Sequence, residues 1–309
     1  MTLETDLLLD RRRLKRRLLV WRTVAVLAVL GCALLLIGRG AVPLHRPNVA
    51  RLTISGVITE QRPLIDAVAA LADDDDTKAL IVFIDSPGGS VAGGEEFYSA
   101  ISRVAAKKPV VAVMGGLAAS AGYMVAMPAQ RIFAREATLT GSIGVLLETG
   151  EVSGLLSRLG ITADAITSGP LKDQPSYTHP MTPQGRAVMQ GLVMDMYDQF
   201  VGMVAAGRHM DPDRVRELAD GRAYTGRQAL KLGLIDAIGG EPEAREWLAA
   251  ERGVPASLPV HEVRVGTFAE RAFGEGAGEF LGTVLKTVLS QGLRLDGAWA
   301  VWQPSGQGG

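Results

Sequence analysis

Ser120 stands in Gly115-Gly116-Leu117-Ala118-Ala119-Ser120-Ala121-Gly122-Tyr123, a run of small residues with one hydroxyl near its centre. Upstream, Ile84-Asp85-Ser86-Pro87-Gly88-Gly89-Ser90 reads as a strand stopped by a Pro-Gly-Gly turn, and downstream comes Ser168-Gly169-Pro170-Leu171-Lys172-Asp173. A serine hydroxyl is a poor nucleophile until a base removes its proton, and the oxyanion formed by its attack needs N–H donors. These segments supply an uncrowded hydroxyl, backbone N–H groups and a lysine that can serve as base. The chemistry they suit is peptide-bond attack by a serine–lysine pair. Each residue also has an ordinary reading: Ser120 as the N-cap of a helix, Lys172 as a surface lysine in a loop.

Histidine supplies little competition. Of His45, His179, His209 and His261, none sits in a motif typical of a Ser-His-Asp triad, and His179, in a Pro-flanked loop after Lys172, is the sole rival base. No phosphate loop, zinc signature or dinucleotide fingerprint occurs, and the single Cys32 excludes an internal disulfide or a multi-cysteine metal site. Neither metal nor cofactor is expected. A net charge of −1 over 309 residues gives no electrostatic case for nucleic acid.

The elements that must position these residues follow from periodicity. Arg51 to Ile58 is strand-like, Leu64 to Leu71 has a helical pattern, and Asp73 to Asp76 is a solvated turn. Ala79 to Ile84 is a continuous apolar strand, buried on both faces, followed by an amphipathic helix from Val91 to Ala106 and a second buried strand from Val110 to Met114. Ser120 to Met127 reads as a short helix, with Ile132 to Ala134 and Ile143 to Leu146 as later strand pieces. Alternation of strand and helix implies a largely parallel sheet covered on both sides, with sites at the carboxyl ends of strands. Pro183 to Arg208 is one helix capped by Thr182, and its Met-rich face (Met189, Val193, Met194, Phe200, Met203) is core or subunit contact.

The N-terminus has a different character. Seven basic residues from Arg11 to Arg22 flank an uncharged stretch from Thr23 to Gly38, long enough with Leu18 to Trp21 to cross a hydrocarbon core of about 30 Å. The charge bias keeps the first residues in the cytoplasm and the rest outside. Val29-Leu30-Gly31-Cys32 faintly resembles a lipoprotein cleavage site, but the apolar run continues beyond it. The organisation is therefore a basic cytoplasmic N-terminus (1–17), a transmembrane anchor (18–38), a Pro-containing stalk (39–48), a catalytic domain (49–266) and an amphipathic C-terminal extension (267–309).

Five stretches carry a resemblance: Ser86-Pro87-Gly88-Gly89, Ala118 to Tyr123, Thr140-Gly141-Ser142-Ile143-Gly144-Val145, Ser168 to Asp173, and Asp220-Gly221-Arg222. In this order the chain, from about Val49 to Gly240, resembles the signal peptide peptidase A family, membrane-anchored Ser/Lys peptidases of bacteria with a ClpP/crotonase-like fold. The resemblance implies an α/β fold of repeated β-β-α units with a largely parallel sheet, preceded by one transmembrane helix. It implies Ser120 as nucleophile, Lys172 as general base, Ser142 as the hydroxyl that holds the lysine amine, and the N–H groups of Gly88 and Ala121 as the oxyanion hole. The rival reading of Ser142 is a turn serine satisfying its own backbone.

The implied substrates are remnant signal peptides and other hydrophobic peptides in the bacterial cytoplasmic membrane, cut on its outer side. The implied assembly is a homo-oligomer in which Ser120 of one subunit meets Lys172 of the next. Three alternatives stand beside this reading: a related membrane-bound Ser/Lys protease with a specific protein substrate, a crotonase-type acyl-CoA enzyme, and a non-catalytic membrane scaffold.

Overall fold

The computed structural model describes residues 47–265, together with residues 17, 20–26, 28 and 31. The described residues fall into two units, one before Pro47 and one from Pro47 onward. In the first, residues 20–26 are helical. Among the described residues no helix is long and apolar enough to cross a membrane. Most of the expected anchor at 18–38, and the extension at 267–309, lie outside them.

The second unit opens with strand β1 (Asn48–Ile58), helix α1 (Arg62–Ala70), β2 (Thr77–Gly89), α2 (Val91–Ala105), β3 (Val110–Ala119), α3 (Ala121–Ala126), β4 (Arg131–Ala134) and β5 (Leu139–Gly141). There follow α4 (Ser153–Arg158), α5 (Pro183–Arg208), α6 (Pro212–Leu218), β6 (Ala223–Thr225), α7 (Gly226–Leu232), β7 (Ala237–Ile238), α8 (Glu241–Arg252) and β8 (Val260–Glu262). The first half alternates strand and helix, and two strands follow one another directly only at β4–β5. Each of β1, β2 and β3 is itself broken near its end, by a register shift after Ser55 and after Ile84 and by a change of partner after Met114, and each is followed by a helix. The eight strands form one mixed sheet in the order β6-β5-β3-β2-β1-β8, with β4 pairing β3 and β7; only β5 and β6 are antiparallel.

Successive strand residues point to opposite faces, and both faces of the central strands are covered. Leu80, Val82 and Ile84 of β2 join Leu52 and Ile54 of β1 and Ala112 and Met114 of β3 in one core, packed under Phe97, Ile101 and Val104 of α2 and Phe200 and Val204 of α5. Ala79 and Ile81 instead join Val111, Val113 and Phe133 beneath Ala244 and Leu248 of α8. Each large side chain so buried stabilises by about 1.5–3 kcal/mol relative to exposure, which is why the uninterrupted apolar run of β2 settles in the middle of the sheet.

Two features of this sheet place the site. Strand β3 changes partner part-way: Val111–Met114 pair with β4, whereas Leu117–Ala119 pair with β5. The switch occurs at Gly115-Gly116, opposite Asp85, whose Oδ1 accepts the Leu117 N–H at 3.0 Å. A Cβ on Gly115 would lie 3.1 Å from the Asp85 side chain and would press on it. The second feature is α5, anchored at its end by Arg208. The guanidinium donates to Asp236 Oδ1 and Oδ2 at 2.6 and 2.9 Å and to the Gly233 carbonyl at 2.9 Å, while Asp236 Oδ2 accepts the Ile132 N–H at 2.8 Å. This ties the end of α5 to the base of β4.

The segment expected as a strand at Ile143 to Leu146 is irregular; the strand lies just before it, at Leu139–Gly141. Leu146 and Leu147 are exposed, so their apolar character does not reflect a place in the sheet.

Candidate active site

Ser120 joins the end of β3 to the start of α3 with φ 54° and ψ −124°. A non-glycine residue in that region carries about 1–3 kcal/mol of backbone strain. The neighbours enforce it: the Ser120 N–H donates to the Gly141 carbonyl at 2.9 Å, and its own carbonyl accepts the Tyr123 and Met124 N–H groups at 2.9 and 3.0 Å, opening α3. Tyr123 then locks the buried helix by donating its hydroxyl to the Leu234 carbonyl at 2.7 Å.

The N-cap reading of Ser120 is settled by comparison within the chain. Ser90, Thr182 and Thr225 precede helices with extended backbone, and each side chain accepts a helix N–H. Ser120 has neither the extended backbone nor a capping bond. Among the described residues its hydroxyl has no hydrogen-bond partner.

The turn at the end of β2 comes extremely close. A Cβ on Gly88 (φ 109°) would lie 2.7 Å from Ser120 Cβ, 3.0 Å from the Ala119 carbonyl oxygen and 3.1 Å from the Ala121 nitrogen. The Gly88 N–H, however, donates to Ser86 Oγ at 3.1 Å, and that hydroxyl donates at 2.6 Å to the Gly56 carbonyl on β1. The Ser90 N–H also turns to β1, reaching the Ile58 carbonyl at 3.0 Å. Between them, Gly89 lines the same cavity as Ser120.

Ser120 opens into a cavity of about 690 Å³. Gly89 and Val91 form one wall, Ser142, Gly144, Val145 and Leu146 a second, and Ala219, Asp220 and Gly221 a third. The fourth is a stripe of α5, Gln190, Val193, Met194 and Tyr197, whose spacing puts all four on one helix face. The lining is mainly apolar. Its one charged residue, Asp220, is paired with Arg222, and the hydrogen bond from that guanidinium holds its carboxyl below the usual carboxylate range.

A family model, peptidase family S49, matches residues 102–255. A putative protease of Synechocystis is 40% identical over 210 residues, covering 68% of this chain and 76% of the relative. The chain belongs to peptidase family S49. A putative signal peptide peptidase SppA of Enterococcus faecium is 35% identical, covering 66% of this chain and 64% of the relative. Among solved structures, a ClpP1 mutant of Listeria monocytogenes superposes with a TM-score of 0.41 at 16% identity, covering 63% of this chain and 92% of that one.

Within this S49 chain the structure brings Ser120, Ser142 and Gly89 to one cavity, with Gly88 and Ala121 directly behind Ser120. Lys172 is not among the residues lining it. That side chain is exposed, on a turn closed by its N–H to the Gly169 carbonyl at 3.1 Å. His179 is likewise absent from the lining; its Nδ1 pairs with Thr178 Oγ1 at 2.7 Å. The lining of this cavity thus contains neither lysine nor histidine.

Sequence reasoning passed over Gly89, Asp220 and the α5 stripe. The i, i+3, i+4, i+7 spacing of Gln190, Val193, Met194 and Tyr197 was visible, but nothing local distinguishes a cavity wall from a core face. Met194 is 44% exposed, so this part of the helix faces the cavity rather than the core.

Proposed function

We propose that this S49 peptidase is a membrane-anchored Ser/Lys endopeptidase acting on the outer side of the bacterial cytoplasmic membrane on hydrophobic peptides, remnant signal peptides among them. Ser120 is its nucleophile and Lys172 its general base. The observation that carries the reading is the uncommitted Ser120 hydroxyl on a strained turn, opening into an apolar cavity beside Ser142. That cavity suits uncharged side chains next to the cleaved bond.

Ser120 Oγ attacks the peptide carbonyl while the neutral lysine amine takes its proton. The oxyanion is held by two N–H groups. One is that of Ala121, at the first position of α3, where no helical carbonyl is in reach. For the other we favour Gly89, which lines the cavity, over Gly88, whose own N–H is engaged by Ser86. The protonated lysine then gives its proton to the leaving amine, and afterwards activates the water that releases the acyl group. Ser142 steadies the amine by accepting one of its N–H bonds.

The lysine reaches Ser120 from a second copy of the chain. Two facts favour this. The cavity's lining contains neither lysine nor histidine, and the segment carrying Lys172 exposes a series of large apolar residues, Leu155, Leu159, Ile161, Ile166 and Tyr177. Helix α4 in that segment buries none of its residues. Such a surface is what an intersubunit contact covers. In a head-to-tail ring each Ser120 then meets Lys172 of the partner subunit.

Mixing decides it. Inactive Ser120→Ala and inactive Lys172→Ala chains, co-assembled in equal amounts, place an intact pair at about a quarter of head-to-tail interfaces, and activity should return to about that fraction. Well-mixed oligomers that stay inactive would show that each chain carries its own dyad. Labelling by a serine-directed acylating probe, lost in Ser120→Ala, separates a peptidase from a scaffold or an acyl-CoA enzyme.

A further inference from the structure

The motif Asp220-Gly221-Arg222 has no role in the reaction just described, yet it forms a wall of the cavity and grips Ser142. Asp220 Oδ1 accepts the Arg222 backbone N–H at 3.1 Å and its Nε at 2.8 Å, and Oδ2 accepts the same Nε at 2.7 Å. The chain is bent between them at Gly221, with φ 89°. The bend presents two successive carbonyls to one residue: Gly221 O accepts Ser142 Oγ at 3.2 Å, and Arg222 O accepts the Ser142 N–H at 2.9 Å. Ser142 is itself held in the left-handed region, φ 47°, and the residue before it, Gly141, receives the Ser120 N–H.

We propose that Asp220 and Arg222 form a latch that positions the Ser142 hydroxyl so that it can only accept, and never donate, toward the lysine amine. The inference rests on the reading of Ser142 as the residue that holds that amine. A hydroxyl has one hydrogen to donate and two lone pairs. With the hydrogen directed to the Gly221 carbonyl, only lone pairs face the cavity. A neutral amine docking there must offer an N–H to Ser142, which leaves its own lone pair free for the proton of Ser120. A hydroxyl free to rotate would instead donate into that lone pair and occupy the base. The carboxylate of Asp220, by closing on Arg222, fixes the two carbonyls that prevent this. Asp220 and Arg222 are thus positioning residues that act through Ser142.

The test is a set of single and double variants of the full chain, assayed on a peptide ester with kcat and KM determined separately. Asp220→Ala should lower kcat about tenfold and leave KM within about twofold, the scale expected when a reacting group is loosened rather than removed. Asp220→Asn keeps an acceptor oxygen for the Arg222 N–H groups and should recover most of the loss. In a Ser142→Ala background, Asp220→Ala should cost less than about twofold, because the residue it acts through is gone.

An unchanged kcat in Asp220→Ala would overturn the latch. So would an Asp220→Asn as impaired as Asp220→Ala, a loss confined to KM, or an equal loss with and without Ser142. Should Asp220→Ala fail to fold, Arg222→Met removes the guanidinium but keeps the backbone donor; it should lower kcat about threefold, and full kcat there overturns the latch equally. Ser120→Ala separates the two levels. If it stays active, the Ser/Lys reading itself is wrong; if it is dead while Asp220→Ala is unimpaired, only the latch falls.

Discussion

Gly88→Ala is the substitution on which the geometry around Ser120 makes the sharpest demand. The added Cβ would lie 2.7 Å from Ser120 Cβ, whereas carbon atoms in favourable contact sit about 3.5–4.0 Å apart. Ser120 must therefore retreat by about 1 Å, because the alternative direction is closed by the Ala119 carbonyl at 3.0 Å and the Ala121 nitrogen at 3.1 Å. A misplacement of that size costs roughly 10²-fold in rate. Overpacking adds about 1–3 kcal/mol of instability, and an alanine at φ 109° adds about 1–3 kcal/mol more.

The assay is the second-order rate of labelling by a serine-directed probe, alongside a thermal melt. Labelling should slow by about two orders of magnitude in protein that still melts cooperatively. Gly253→Ala is the control: it also has positive φ (66°) but meets nothing within 4 Å. It should lose about 1–2 kcal/mol of stability and none of the labelling. Gly88→Ala labelled within twofold of the parent would refute the close approach of the two turns.

Ser120→Ala and Ser120→Gly should both be inactive, but the glycine variant should be more stable by about 1 kcal/mol, since it relieves the strained backbone that alanine retains; equal melting temperatures would remove the strain from the account. Lys172→Arg should be as dead as Lys172→Ala, because guanidinium does not deprotonate in a protein, and substantial turnover in the arginine variant would exclude lysine as base. The Asp220 carboxyl is held low by the Arg222 hydrogen bond, with Tyr224 beside the pair, so the latch is intact above the ordinary carboxylate range and is lost only as pH falls through the lowered value. Arg208→Met should destabilise the fold by about 3 kcal/mol, since it strips Asp236 of a partner at a site where Arg208 is only 8% exposed; a shift in melting temperature of less than a degree would contradict this.

The sheet was legible because its signals are local and redundant. The run from Ala79 to Ile84 has no polar interruption, and only a strand covered on both faces accommodates that; it is the centre of the sheet. Thr182 followed by Pro183 fixed the start of α5, with the Thr182 side chain accepting the Gly185 N–H at 3.0 Å. Illegible were features that depend on distant partners. The apolar Ile143 to Leu146 looks like a strand, but the β5 ladder ends one residue after Thr140, where Gly141 and Ser142 both take positive φ to meet the Tyr224 ring and the Arg222 carbonyl. No pattern within the segment announces an obstacle eighty residues away.

The same distinction runs through the site. Glycines and small residues around Ser120 signalled close approach, and the structure supplies the approach. Which N–H is free to meet an oxyanion was not readable, because it depends on Ser86, whose hydroxyl bridges Gly56 on the neighbouring strand and Gly88 on its own. The sequence offers a serine before a Pro-Gly-Gly turn; only the folded turn shows that this serine engages the first glycine's N–H while the second glycine lines the cavity with Ser120. Ser86→Ala tests the consequence. It removes the donor to the exposed Gly56 carbonyl and leaves the buried Gly88 N–H without its Ser86 acceptor, a loss of about 1–3 kcal/mol. If Gly89 is the oxyanion donor, Ser86→Ala loosens the turn that aims it, and probe labelling slows. If Gly88 is the donor, releasing its N–H accelerates labelling instead, and the preference for Gly89 is wrong.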